Sequence, residues 1–198
     1  LGIVADGRAA AVNDWAEQNF SHMRELAENA SLQLYMSELA LGGEELELGA
    51  TGDKKDRAEA EEEAASASYL RNLLVATAER TGFKAPPPVG EVAANIERVG
   101  VAGIGLVDKE GKSLVSTPDM PPMTGRIRAA VAKALDGEPA VIDVYLGASG
   151  LPTMGFMLPI FGIQEDTEGA KGIGAVIGLR TIGKDLYQRL KQPGETAR

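Results

Sequence analysis

From Arg8 to Leu41 the chain has neither Pro nor Gly. Apolar residues recur there at Val12, Trp15, Ala16, Phe20, Met23, Leu26, Ala27, Ala30, Leu34 and Leu41, mostly in steps of three and four. This spacing predicts one amphipathic helix of about 50 Å, ending at Gly42-Gly43 and longer than a compact domain usually needs. Part of it is expected to project beyond the core or to pair with a second copy. A Gly-rich acidic connection follows. A second helix is expected from near Asp56, with Glu59 in a capping-box spacing, through Tyr69, Leu70, Leu73, Leu74 and Ala78 to Arg80, where Gly82 caps it.

The pattern changes after Pro86-Pro87-Pro88, a stiff extended segment. A short helix is expected over 90–98. Apolar runs then appear at 102–107 and 112–116, separated by Asp108-Lys109-Glu110-Gly111, which reads as a β-hairpin. Pro118, Pro121 and Pro122 lead into a helix over 124–135, stopped by Asp136-Gly137. Three strands at 140–146, 153–161 and 173–180 follow, with a polar loop at 164–171 and a closing helix over 183–191. Strands joined by hairpin-sized links, with helices gathered to one side, make an α+β antiparallel architecture. The expected organisation is a helical stalk and helix pair at 1–85, a sheet module at 86–182 and an exit helix with connector at 183–198.

With 44% hydrophobic and 25% charged residues, the 198-residue chain has enough apolar material for a packed core. A formal charge of −9 argues against a phosphate-binding surface, so nucleic acid is not an expected partner. With no Cys, thiol chemistry, disulfides and Cys-based zinc sites are excluded. No apolar run is long enough to span a bilayer. The chain opens on Leu1-Gly2-Ile3-Val4 without an initiating Met and is expected to be a piece of a longer protein, with any membrane spans outside these residues.

The succession LVDKEGKSLVSTP, ALDGEPAVIDVYL, PTMGFMLPIFG and GIGAVIGLRTI resembles the Cache (PAS-like) extracytoplasmic sensor domains of bacterial chemoreceptors, sensor histidine kinases and cyclic-di-nucleotide signalling proteins. The long first helix, the second helix ending YLRNLLVATAERTGF and the exit helix are similar to that family's layout. The resemblance implies long N-terminal helices packed on a PAS-like antiparallel sheet, and a small-molecule pocket between the sheet and the segments that cross it. It also implies a periplasmic location in an inner-membrane protein. The chain departs from Cache domains that bind amino acids through an aromatic-and-Arg motif, because it has no Arg-x-Trp. Organic acids or other metabolites are the ligands left open.

Candidate ligand residues follow from side-chain chemistry. In the strand at 140–146, alternation puts Val141, Asp143 and Tyr145 on one face and Ile142, Val144 and Leu146 on the other, the expected core face. Tyr145 offers a ring and a hydroxyl, and Asp143 can accept from an ammonium. Arg126 and Arg128, near the start of the 124–135 helix, suit a carboxylate; they lie about 200° apart, so at most one faces a pocket. Arg180 competes for that role, with solvated surface the plainer expectation for all three. Ser116 and Thr117 stand beside the Pro-rich loop, as site hydroxyls or turn caps. Met154 and Phe156 are a candidate pocket wall or simple core, in a strand apolar on both faces.

Nothing points to catalysis, a cofactor or a metal. His22 has no second His or Cys near it, and the glycines around 100–105 and 172–178 fit neither a dinucleotide fingerprint nor a P-loop, so close strand approach explains them. The competing reading is a helical dimerisation module with no ligand.

Overall fold

The computed structural model describes residues 2–47, 53–87, 100–163 and 169–191. The helix expected over 90–98, most of the 164–171 loop and the connector after Lys191 lie outside the described residues. Three helices come first: α1 (Gly2–Ala27), α2 (Ala30–Glu47) and α3 (Asp53–Thr81). Strands β1 (Gly103–Asp108) and β2 (Ser113–Ser116) precede α4 (Gly125–Leu135), and β3 (Ala140–Leu146), β4 (Pro152–Ile160), β5 (Gly174–Thr181) and α5 (Lys184–Lys191) complete the chain.

The single helix expected from Arg8 to Leu41 is two helices. The break falls at Glu28-Asn29, where Asn29 Oδ1 accepts the backbone N–H of Leu32 at 3.0 Å and so caps the start of α2. Asparagine competes with the helix for its own backbone bonds, and here that competition wins without help from Gly or Pro. Conversely, Gly42-Gly43 does not end a helix, since α2 continues to Glu47. Glycine costs a helix about 1 kcal/mol and does not forbid it. Gly82 caps α3 as expected, with φ of +87°.

The five strands form one antiparallel sheet in the order β2-β1-β5-β4-β3. In the β1–β2 turn, Asp108 Oδ1 accepts the N–H groups of Glu110 and Lys112, and Gly111 takes a φ of +80°. Each face of the sheet is covered, so the expectation of helices on one side alone is corrected: α4 takes the face opposite the long helices. On one, Ile104, Leu106, Met154, Phe156, Leu158, Ile160 and Val176 pack with Trp15, Met23, Leu32, Met36, Leu70, Leu74 and Phe83 from the helical layer, and with Leu186 of α5. On the other, Met157, Ala175, Ile177 and Leu179 meet Ile127, Ala130, Val131 and Ala134, a 3–4 stripe on α4. Strand β4 is buried on both faces, as its double apolar pattern predicts.

Strand β3 departs from simple alternation. Its register against β4 shifts between Ile142, which pairs with Gly155, and Tyr145, which pairs with Thr153. Three steps on β3 match two on β4, so one residue is extra, a β-bulge. The bulge reverses the phase: Ile142 and Tyr145 both pack on the α4 side, while Val144 and Leu146, expected in the core, are 50% and 75% exposed. The expected grouping of Val141, Asp143 and Tyr145 on one face is corrected for the same reason.

Candidate functional site

Pairing across the sheet decides which residues share a face. On the α4 face, Tyr145, Thr153 and Thr181 form one row across β3, β4 and β5, and Ala140, Met157, Ile177, Gly105 and Ser116 form another across all five strands. On the helical face, Met154 stands beside Arg180, and Val141, Phe156, Gly178 and Ile104 share a row. The candidate residues are therefore divided: Tyr145, Ser116 and Arg126 lie on the α4 side, and Met154, Phe156 and Arg180 on the opposite side. Asp143 lies at the bulge, exposed, with its Oδ1 accepting the backbone N–H of Val144 at 2.7 Å.

Arg126 and Tyr145 come together. The Arg126 guanidinium carbon sits 5.2 Å from the centre of the Tyr145 ring, a cation–π contact at the N-terminal turn of α4. Arg126 is exposed and has no carboxylate partner among the described residues. Arg128 is also exposed. Burial raises the Tyr145 hydroxyl pKa above its ordinary value, and the Arg126 charge partly offsets this, so the phenol stays a donor at neutral pH. Thr124, which precedes α4, makes no side-chain cap, so it leaves the first amides of the helix unbonded by its hydroxyl. Half-buried Met120 and Met123 pack on this side of the sheet. Thr153 and Thr181 are buried in the floor, Thr153 donating to the Leu151 carbonyl at 2.9 Å. Thr117 Oγ1 accepts the Ile104 N–H at 3.1 Å, so Thr117 fastens the hairpin to its loop.

The helical face holds a different kind of cluster. Arg180, expected at solvated surface, keeps only 15% of its side chain exposed and is ion-paired with Asp185 at 2.6 Å. It also donates to the Thr81 carbonyl at 2.7 Å and to Asn19 Oδ1, and Asp185 Oδ2 accepts the Trp15 indole N–H at 2.8 Å. Burial lowers the Arg180 pKa against the stabilising pull of Asp185. Burial would raise the Asp185 carboxyl, but the Trp15 N–H, the Arg180 charge and the backbone N–H groups at the start of α5 outweigh it and hold the pKa below its ordinary value. Trp15, Asn19 and Asp185 were not among the sequence candidates. The only local signal was an acidic residue in the first turn of α5.

A groove of about 450 Å³ runs between α1 and the β3 edge, lined by Glu17, Phe20, Arg24, Val141 and Phe156. His22 is half-buried on α1, and its Nδ1 finds no hydrogen-bond partner. Among the described residues, no three His, Cys, Asp or Glu side chains converge on a metal-sized site, and no helix is long and apolar enough to cross a membrane.

No family model and no curated protein matches the chain. Among solved structures, the sensor domain of the V. cholerae histidine kinase DctB is similar, with a TM-score of 0.56 at 13% identity over 96% of this chain. The match covers 58% of that domain's chain. The five-stranded antiparallel sheet with its long N-terminal helices thus shares the α+β fold of that sensor domain.

Proposed function

We propose that this chain is the extracytoplasmic small-molecule-sensing part of a bacterial transmembrane receptor: a chemoreceptor, a sensor histidine kinase or a cyclic-di-nucleotide enzyme. The observation that carries the reading is the sensor-domain fold matched over 96% of the chain. In this reading residues 1–85 are the transmitting helices, 86–182 the sensing module and 183–198 the connector to an output domain. The protein is periplasmic, held by spans outside these residues, and pairs with a second copy through its first helix.

The ligand is a small organic anion held on the α4 face. Arg126 supplies a guanidinium with no carboxylate partner among the described residues, at the positive end of α4, and Tyr145 supplies a ring and a donor hydroxyl beside it. Ser116 stands at the margin of the same face, on the edge strand β2, and Asp143 lies exposed at the β3 bulge, close to Tyr145 in sequence. Met154, Phe156 and Arg180 contribute from behind the sheet, by fixing β4 and β5.

A thermal-shift screen with organic acids, amino acids, amines and purines as separate sets tests the proposal, since a ligand bound only by the folded state raises the melting temperature. The expected result is a shift with organic acids that Arg126→Gln abolishes. No shift with any set favours the ligand-free dimerisation module instead.

A further inference from the structure

Helix α5 is eight residues long, and among the described residues its apolar anchor is the buried Leu186 with the half-buried Leu190. So small an apolar anchor leaves the docking of α5 dependent on polar contacts. Two reach α1: Asp185 to the Trp15 indole N–H at 2.8 Å, and Arg189 to Gln18 Oε1 at 2.8 Å, the second of them exposed. The first converges on Arg180. That one guanidinium joins the last carbonyl of α3 at Thr81, the Asn19 side chain on α1 and the Asp185 carboxylate on α5, and it lies 5.2 Å from the centre of the Trp15 ring and 5.7 Å from that of Phe83. Asn19 is itself held by its Nδ2 donating to the Trp15 carbonyl at 2.7 Å.

A nearly buried cation carries a large desolvation cost, which good geometry and full pairing must offset. A planar fork with several fixed donors meets that demand where a lysine would not. The position on the sheet adds a second point. Arg180 and Thr181 are consecutive on β5, so their side chains project to opposite faces. Thr181 belongs to the row with Tyr145 and Thr153 on the α4 face. A shift of the end of β5, imposed from the α4 face, therefore reaches the Arg180 cluster through one peptide unit.

We infer that Arg180, Asp185 and Trp15 form a latch that holds the exit helix α5 against the first helix α1, and that its opening is the local event by which the sensing face releases α5. This rests on the sensor reading above. It supplies the two arrangements such a reading requires: α5 docked with the latch closed, and α5 free with the latch open.

The test uses hydrogen exchange on the ligand-free protein, followed by mass spectrometry, for the wild type, Trp15→Phe and Asp185→Asn. Trp15→Phe keeps an aromatic ring beside Arg180, removes the N–H donor and trims the buried indole to a phenyl ring. Asp185→Asn keeps the shape and removes the charge. In both variants the amides of α5 are expected to exchange about tenfold faster or more, while those of β4 and β5 keep their protection. Unchanged exchange in α5 overturns the inference. So does an equal acceleration in α5 and in the β4–β5 core, because the cluster would then be a general stabilising contact and not a local latch. Trp15→Phe carries the test if Asp185→Asn does not fold. Because no ligand is present, failure of the latch leaves ligand binding untested, and failure to find a ligand leaves the exchange result standing.

Discussion

Gly178 lies in the middle of β5, between Phe156 on β4 and Ile104 on β1, where α1 and the end of α3 come down on the sheet. A Cβ placed on it would stand 2.5 Å from Met23 Sδ, 3.0 Å from Met23 Cγ and 2.7 Å from Phe83 Cε1. Met23 and Phe83 are both fully buried, and the Phe83 ring is held edge-on by Phe156 at 6.0 Å between centroids, so neither has free room to retreat. Overfilling a close-packed core costs about 1–3 kcal/mol. Replacing Gly with Ala restores about 0.4–1 kcal/mol by stiffening the unfolded chain. Taking the middle of each range, the difference for Gly178→Ala is a net loss of about 1.3 kcal/mol, or a fall in Tm of about 3–5 °C for a chain of this length. Gly125→Ala is the control: the same chemical change at the start of α4, with no neighbour within 4 Å, is expected to be neutral or slightly stabilising. Urea unfolding should lower the midpoint for Gly178→Ala with no change in slope. A Gly178→Ala protein as stable as the wild type would refute the close approach of α1 and α3 to β5.

Three further predictions follow from other parts of the fold. The β3 bulge predicts that Ile142→Ala costs about 2–5 kcal/mol while Leu146→Ser stays within about 0.5 kcal/mol; equal costs in denaturant titrations would restore strict alternation. Because folding lowers the Asp185 pKa, the stability its charge provides is complete above about pH 4 and is lost as pH falls through the lowered folded value. The stability gap between wild type and Asp185→Asn should therefore be flat from about pH 7 to 5 and shrink in more acid solution, and a gap that widens on acidification would reverse the sign of that linkage. Phe156→Ala removes a fully buried ring from beside Phe83 and should cost about 3–5 kcal/mol in the same assay, whereas a loss under about 1 kcal/mol would contradict a tight core there.

Local patterns made much of this fold legible. The Asp-Lys-Glu-Gly turn, the Pro-rich lead-in and Asp136-Gly137 stop of α4, and the two-sided apolar run of β4 each carry their signal within a few residues, and the corresponding elements stand where those signals put them. The break at Asn29 was written in one capping residue, too little to outweigh a long amphipathic period. The bulge in β3 is a property of pairing, since it exists only against Thr153 and Gly155 of β4. That single extra residue decides that Tyr145 packs on the α4 side and Leu146 faces solvent.

Site residues were harder to read for a related reason. Alternation within one strand says which side chains share a face, but not which face lies under α4 and which under the long helices. Tyr145 and Arg180 were thus grouped although the sheet stands between them. The Arg180 cluster draws on positions 15, 19, 81, 180 and 185, and no spacing along the chain marks their convergence. Trp15 reads from sequence as an apolar position of the first helix, and Asn19, four residues on, carries no local signal of its role.

The central claim is that a small organic anion binds on the α4 face at Arg126 and Tyr145. The most direct test is backbone amide NMR of the isotope-labelled protein titrated with a panel of small organic acids. The account predicts that the amides of Gly125, Arg126, Ile127, Tyr145, Thr153 and Thr181 shift together and saturably, and that Arg126→Gln removes the response. Shifts confined to α1, Val141 and Phe156 would place the ligand in the groove on the other side of the sheet, and no saturable shift with any acid would contradict anion sensing by this face.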